Sequence, residues 1–337
     1  MLSAVAPSHA YLFHGPGGAG KRQRALEFAA DLLSEGDDGA RSRVLANAHP
    51  DLTWVAPSGA HEVLVADIDG PVVAAATRTP FEAQRRVFVI ESADQLGEEA
   101  ANRMLKTLEE PASFVHIILI TDRLGDMVAT IRSRCQLVRF DGPDVEQLAA
   151  EVGQACALLS LGDAGVAREL ASEDGAALRD AAEGFVVSVL GGRAALEAPW
   201  EPVLAAVKAR GERTAAELEA QAAAELEVVS RKDRRRVEKE WDDRAKRVRR
   251  RTETGALAQV LTLIETWLLD LAALGWGAGE QVRNVDRPER LRSLAGPDPA
   301  ALLRAVGAVE ETRVHLPLNV SEPLALEALA YTIGREL

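Results

Sequence analysis

Cysteine is almost missing from this sequence: its 337 residues contain two, Cys135 and Cys156. Two thiols exclude a disulfide framework and a four-thiolate zinc site. They suit a reducing compartment, where both read as small buried apolar residues. Aromatic residues are also scarce, at 4 % against an apolar fraction of 47 %. That mixture favours helices rich in Ala and Leu over a β-sandwich. No apolar run reaches the roughly 18 residues needed to cross a membrane, so no membrane partner is expected. The start, MLSAVAPSHAYLFHG, lacks a basic region and a clean apolar stretch. A signal peptide is therefore not expected, and a cytoplasmic location is. Basic charge is in deficit as well. A net charge of −13 argues against wholesale coating of nucleic acid.

The deficit is uneven. Residues 231–251 hold twelve Lys/Arg against five Asp/Glu, a local +7 that leaves −20 on the rest. An acidic body with one basic segment is a distribution that asks for a partner or a solvated face. The length predicts two or three domains. Residues 1–141 alternate strand and helix signals: apolar runs at 10–13, 86–90, 115–120 and 137–140, with a helix over 98–108 ended by Pro111. Such alternation predicts a parallel sheet covered by helices. Gly142-Pro143 closes this region. Residues 142–192 read as wholly helical, and Gly191-Gly192 with Pro199 and Pro202 mark a second boundary before a helical region over 193–337. Neither Gly nor Pro occurs between Gly211 and Gly255, which predicts two long helices jointed at Ser230, with Ser230 as cap and Asp233 in the first turn. In the second helix Val237, Trp241, Ala245 and Val248 share one face.

Gly15-Pro16-Gly17-Gly18-Ala19-Gly20-Lys21 fits G-x-x-x-x-G-K, follows a strand and opens a helix. In that context the backbone N–H groups curl around phosphate, the helix terminus favours an anion, and Lys21 reaches the outer phosphates. The next position should be Ser or Thr to hold Mg²⁺, and it is Arg22. The strand at 86–90 should end in a metal-supporting Asp and a water-positioning Glu, and it ends Glu91-Ser92-Ala93-Asp94. Glu91 could serve the metal in part, whereas Ser92 is no carboxylate base. Two readings of the loop stand: a structural turn, or a site with weak residual affinity for ATP or ADP. Hydrolysis by this chain alone is not expected.

Asn102-Arg103-Met104-Leu105-Lys106-Thr107-Leu108-Glu109-Glu110-Pro111 resembles the N-x-L-L-K-x-L-E-E-P segment of clamp-loader ATPases. Residues 130–135, Thr-Ile-Arg-Ser-Arg-Cys, resemble their Ser-Arg-Cys motif. With the phosphate loop, the Ile-Ile-Leu-Ile-Thr strand and His49-Pro50-Asp51 in matching order, the chain is similar to bacterial DNA polymerase III clamp-loader subunits, and its loop defects to the delta-prime type. The motifs cover residues 9–141. The resemblance implies an AAA+ P-loop α/β domain with a parallel sheet, a small helical lid domain and an all-α C-terminal collar domain. It implies partners: gamma/tau and delta subunits, a sliding clamp, and primer–template DNA recognised without sequence reading. It implies that Ser133 and Arg134 form an arginine-finger motif, Arg134 acting in trans on a neighbour's ATP. The chain itself would then be non-catalytic inside a DNA-directed DNA polymerase (nucleotidyltransferase) assembly. The plain alternative is that Arg134 pairs with a local acid. Arg132 reads as a solvent-facing or supporting residue, and Cys135 as buried beside the finger.

Two departures from the family accompany these matches. Residues 31–49 carry no cysteine where relatives place a four-cysteine zinc module, so no zinc is expected, and His49 and His61 read as loop residues. Near Gly162–Arg168, Val166 stands where relatives place a nucleotide-sensing arginine, with Arg168 two positions late. The basic segment 231–251 leaves three readings open: a solvated face, contact with DNA phosphate, or docking to an acidic partner. Two rivals to the whole reading are an active AAA+ ATPase with an atypical metal site and a DNA-binding scaffold organised by this helix.

Overall fold

A computed structural model describes residues 7–57, 63–228, 234–318 and 320–337. His61 and the helix joint from Ser230 to Asp233 lie outside the described residues. The chain divides into two compact units, residues 1–143 with 163–165, and residues 144–162 with 166–337.

The first unit is built on a five-stranded parallel sheet. In chain order its strands are β1 (Ala10–His14), β2 (Leu52–Val55), β3 (Arg86–Ile90), β4 (Val115–Thr121) and β5 (Gln136–Arg139), arranged β2-β3-β4-β1-β5. β4 is buried at all seven positions, which is why it reads as a continuous apolar run rather than an alternating one. The period of two sorts the strands' side chains between the faces. Ala10, Leu12, Phe88, Ile90, Ile117 and Leu119 pack under helix Glu98–Glu109 through Ala100, Met104 and Leu108. Tyr11, Phe13, Val87, Val89, Ile118 and Ile120 pack under helix Lys21–Leu33 through Phe28 and Leu32. β2, an edge strand of four residues, corresponds to none of the expected apolar runs. It is too short for a clear periodic signal, and it pairs in register with β3 from Leu52↔Val87 to Val55↔Ile90.

His49-Pro50-Asp51, just before β2, is structural. The buried Asp51 carboxylate accepts the N–H groups of Phe81, Glu82 and Ala83 at 2.5, 2.9 and 2.9 Å, fastening the entry to β3. The buried His49 accepts the Asp51 N–H on Nδ1 and sets Nε2 3.0 Å from Glu82. Within the cysteine-free stretch 31–49, residues 38–45 form a helix capped by Asp37, whose carboxylate accepts from Gly39 and Ala40.

The second unit is helical among its described residues. Residues 142–192 and 193–337, set apart in the sequence by two glycines and two prolines, share one buried cluster. Leu178, Ala182, Phe185 and Val189 of helix Glu173–Leu190 join Val203 and Val207 of Trp200–Val228, and Val260, Ile264, Trp267 and Leu271 of Arg234–Gly275. An apolar face running the length of Glu173–Leu190 needs cover, and the two long helices supply it. Helix Arg234–Gly275 is long and apolar enough by composition to cross a membrane. Its apolar half is this unit's core. At its other end Val237 and Ala245 are buried, and the Arg244 guanidinium stacks 4.7 Å from the Trp241 ring centre, so Trp241 is a packing residue.

Candidate functional site

In a parallel sheet the carboxyl ends of adjacent strands lie side by side, and the loops that leave them meet there. Register aligns His14 at the end of β1 with Thr121 at the end of β4, and Ile90 of β3 with Leu119. The phosphate loop at 15–20, Glu91 and Asp122 are therefore neighbours although far apart in sequence. Gly15 holds φ +141°, and a Cβ there would stand 2.0 Å from the Phe140 carbonyl oxygen, so only glycine fits.

Lys21 is buried, at 4 % exposure. Its ammonium donates to the carbonyls of Gly15 (2.7 Å) and Pro16 (2.5 Å) and sits 2.7 Å from Asp122 Oδ1. An ammonium has three N–H donors, so Lys21 is saturated by its own chain. The turn at 163–165 lies directly against the loop: Ala164 N–H donates to the Gly17 carbonyl, and Cβ atoms on Gly17 or Gly18 would collide with Asp163 or Gly165. His14, at the loop's root, has its imidazole held below its ordinary pKa by burial first, then by Arg139 and Lys21.

Arg22 sits where a magnesium-ligating hydroxyl would be needed. Its Nε is 3.1 Å from Glu91 Oε1, its guanidinium lies 5.4 Å from the Trp54 ring centre, and Trp54 Nε1 donates to the same Glu91 oxygen at 2.5 Å. The carboxylate that could have supported a metal is thus taken by a cation and an indole of the same chain. Ser92 adopts φ +50°, an unusual conformation for a non-glycine residue, at the turn out of β3. Asp94 accepts a hydrogen bond from the buried Thr121 hydroxyl at 2.7 Å and so braces the end of β4. The donor set around this loop does not fit Mg²⁺: an arginine, a serine and an occupied glutamate replace the hydroxyl and carboxylates such an ion takes.

Arg134 follows the short helix Ala129–Arg132 and is partly exposed, at 33 %. Its Nη1 donates to the Thr130 carbonyl at 2.8 Å and to Ser133 Oγ at 3.3 Å, and its Nη2 donates to Glu109, the last residue of helix Glu98–Glu109. Ser133 Oγ in turn donates to the Thr130 carbonyl at 3.1 Å. Ser133 and Arg134 are therefore brought together, and the local acid that a purely structural arginine would need is present. Arg132 is exposed and has no ion-pair partner among the described residues. Cys135, expected to be buried, is only partly so, because the turn after helix Ala129–Arg132 is open to solvent; desolvation still pushes its thiol up to about 12. In the second unit, the exposed Arg168 is paired by Nε with Glu151 at 2.5 Å.

The basic segment is partly neutralised along its described length. Arg234, Lys246 and Arg249 pair with Glu238, Asp242 and Glu253 one turn away, and Arg250 with Glu322. Arg235, Lys239 and Arg247 have no ion-pair partner among the described residues. Asp122 and Trp54 lie outside every motif of the sequence, and Glu109 lies inside one without an expected role. Of these, Asp122 had a signal: it follows the C-terminal end of a buried parallel strand, where functional groups gather.

Residues 1–144 match the family model described as "DNA polymerase III, delta subunit". The DNA polymerase III subunit delta' of Pseudomonas aeruginosa is 34 % identical over 136 residues, 38 % of this chain and 42 % of that protein. That of Bacillus subtilis is 36 % identical over 140 residues, 40 % of this chain and 42 % of that protein. The DNA polymerase III subunit tau of Bacillus subtilis is 30 % identical over 185 residues, covering 47 % and 31 %. The chain thus spans less than half the length of each of these relatives. The family match runs from β1 through β5 and takes in the phosphate loop and the Ser133–Arg134 turn, and over these first 144 residues the chain is similar to bacterial DNA polymerase III delta-prime subunits.

Proposed function

We propose that this chain is the delta-prime component of a bacterial clamp loader, that it hydrolyses no ATP itself, and that Arg134 completes the ATP site of a gamma/tau neighbour. The observation that carries this reading is the contrast between two cations. Lys21 has every donor engaged inside its own loop. Arg134 stands at the surface with three of its five N–H donors engaged and Nε unpartnered among the described residues. A guanidinium with an open edge binds phosphoryl oxygens in pairs and stays charged while negative charge shifts during transfer. The Arg22–Glu91 pair and the lack of a carboxylate at Ser92 speak against the active-ATPase reading.

The partners follow as part of the proposal: gamma/tau and delta subunits, a sliding clamp and primer–template DNA, in the cytoplasm. Arg235, Lys239 and Arg247, without ion-pair partners among the described residues, favour a second role for the basic helix, contact with DNA phosphate. The test is reconstitution with gamma/tau, delta and clamp. Arg134→Ala should leave the complex assembled and lower its DNA-stimulated ATPase. Arginine fingers of known GTPases supply about 10³–10⁵ in rate; in an assembly with several ATP sites the total falls by the share of the affected site. Unchanged ATPase in an intact complex removes the finger assignment.

A further inference from the structure

We infer that Glu109 is a positioning residue for Arg134, holding the guanidinium in a presented orientation; this rests on the trans-acting role proposed above. Three bonds fix the guanidinium. Nη1 takes the Thr130 carbonyl at 2.8 Å and Ser133 Oγ at 3.3 Å, and Nη2 takes Glu109. With Nη1 engaged twice and Nη2 once, Nε–H and one further N–H of the five remain open. Only Glu109, of the three partners, comes from outside the 129–134 turn, across 25 residues. It therefore ties the arginine to the rigid helix Glu98–Glu109 rather than to its own loop.

The position of Glu109 argues for a purpose. A carboxylate in the last turn of a helix faces the negative end of the helix dipole and is disfavoured there unless a cation covers it. Arg134 is that cation. Glu109 is 49 % exposed and Arg134 33 %, so the pair is solvent-screened and weak. Weakness suits positioning. The pair restricts the side chain's rotamers without competing seriously with a polyphosphate, and it leaves Nε–H and one further N–H open.

The test uses the reconstituted clamp loader with clamp and primed DNA, and compares Glu109→Gln, Glu109→Asp, Arg134→Ala and the double variant Glu109→Gln/Arg134→Ala. Glu109→Gln should lower kcat by ~2–5-fold, the range of an exposed ion pair, with KM for ATP unchanged. Glu109→Asp should recover part of the rate. In the Arg134→Ala background Glu109→Gln should have no further effect, because its influence passes through that arginine. A Glu109→Gln defect that persists undiminished in the Arg134→Ala background, or one that appears as a rise in KM or a loss of assembly, overturns the inference. So does an unchanged kcat when Arg134→Ala alone is defective; in that case the finger stands and the positioning role falls. An Arg134→Ala complex with normal ATPase overturns the finger, and the positioning role with it.

Discussion

Replacing Lys21 with Met separates a relic phosphate loop from a working one. In a working loop the lysine waits for phosphate, and its loss leaves the fold untouched. Here its ammonium is buried and bonds two carbonyls of its own loop and Asp122. Hydrogen bonds to a charged partner contribute about 1.5–3 kcal/mol each. Asp122 is 60 % exposed, so its ion pair adds about 0–1 kcal/mol at most. Against these stands the relief of burying an ammonium, which Met does not require. The expected net loss is about 2–3 kcal/mol. In a unit of this size that lowers its Tm by roughly 5–10 °C. Thermal and urea unfolding should be fitted with separate transitions for the two compact units, and the first-unit transition should move alone. The companion measurement is ATP itself. A ligand at 100 times its Kd stabilises the folded state by about 2.7 kcal/mol. Millimolar ATP should therefore leave the wild-type transition unmoved, whether Mg²⁺ is present or not. The reasoning is refuted if Lys21→Met unfolds like wild type while ATP raises the wild-type Tm, because the lysine would then be free to hold phosphate.

Two further outcomes follow from buried groups of the first unit. Burial alone would raise the Asp51 carboxyl pKa, yet the N–H donors of Ala83, Glu82 and Phe81, with His49, hold it below the ordinary aspartate value. Its stabilising contribution is thus complete above the unfolded-state pKa of about 4 and is lost as pH falls through the depressed folded value. Asp51→Asn should cost about 2–4 kcal/mol at neutral pH and flatten the acid limb of the stability curve; an acid limb identical to wild type would count against this account. Burial holds the Cys135 thiol at about 12. Cys135 is partly buried, so in a Cys156→Ser background a disulfide reagent at pH 8 should react with the native protein more slowly than with the unfolded chain, and equal rates would contradict the raised pKa.

Much of the first unit can be read from residue order. β1, β3 and β4 announce themselves as apolar runs because strands buried on both faces must be apolar throughout. Helix Glu98–Glu109 is visible through its period and its proline stop. The phosphate loop and the Ser133–Arg134 turn are visible because backbone conformation and charge pattern there depend on adjacent residues. β2 was not legible: four residues at a sheet edge offer one period of alternation, and its partner β3 decides its register. Glycines and prolines near 192 suggest a boundary, but whether two helical stretches share a core depends on which faces meet, and Phe185 and Ile264 lie in one buried cluster.

What the sequence determined by itself is a G-x-x-x-x-G-K loop between a strand and a helix, with Arg22 and Ser92 at positions 22 and 92, and an arginine in the Ser133–Arg134 setting. What only the tertiary structure decided is where each charge goes. Lys21 finds Asp122, Arg22 finds Glu91, Trp54 donates to the same Glu91 oxygen, and Arg134 finds Glu109. Each pair joins residues that are distant in the chain and adjacent in space: the first three meet near the carboxyl ends of adjacent parallel strands, and Arg134 and Glu109 meet ahead of β5 and β4. Charge pairing depends on distance in space, and residue order carries that distance only for neighbours on the same strand or helix.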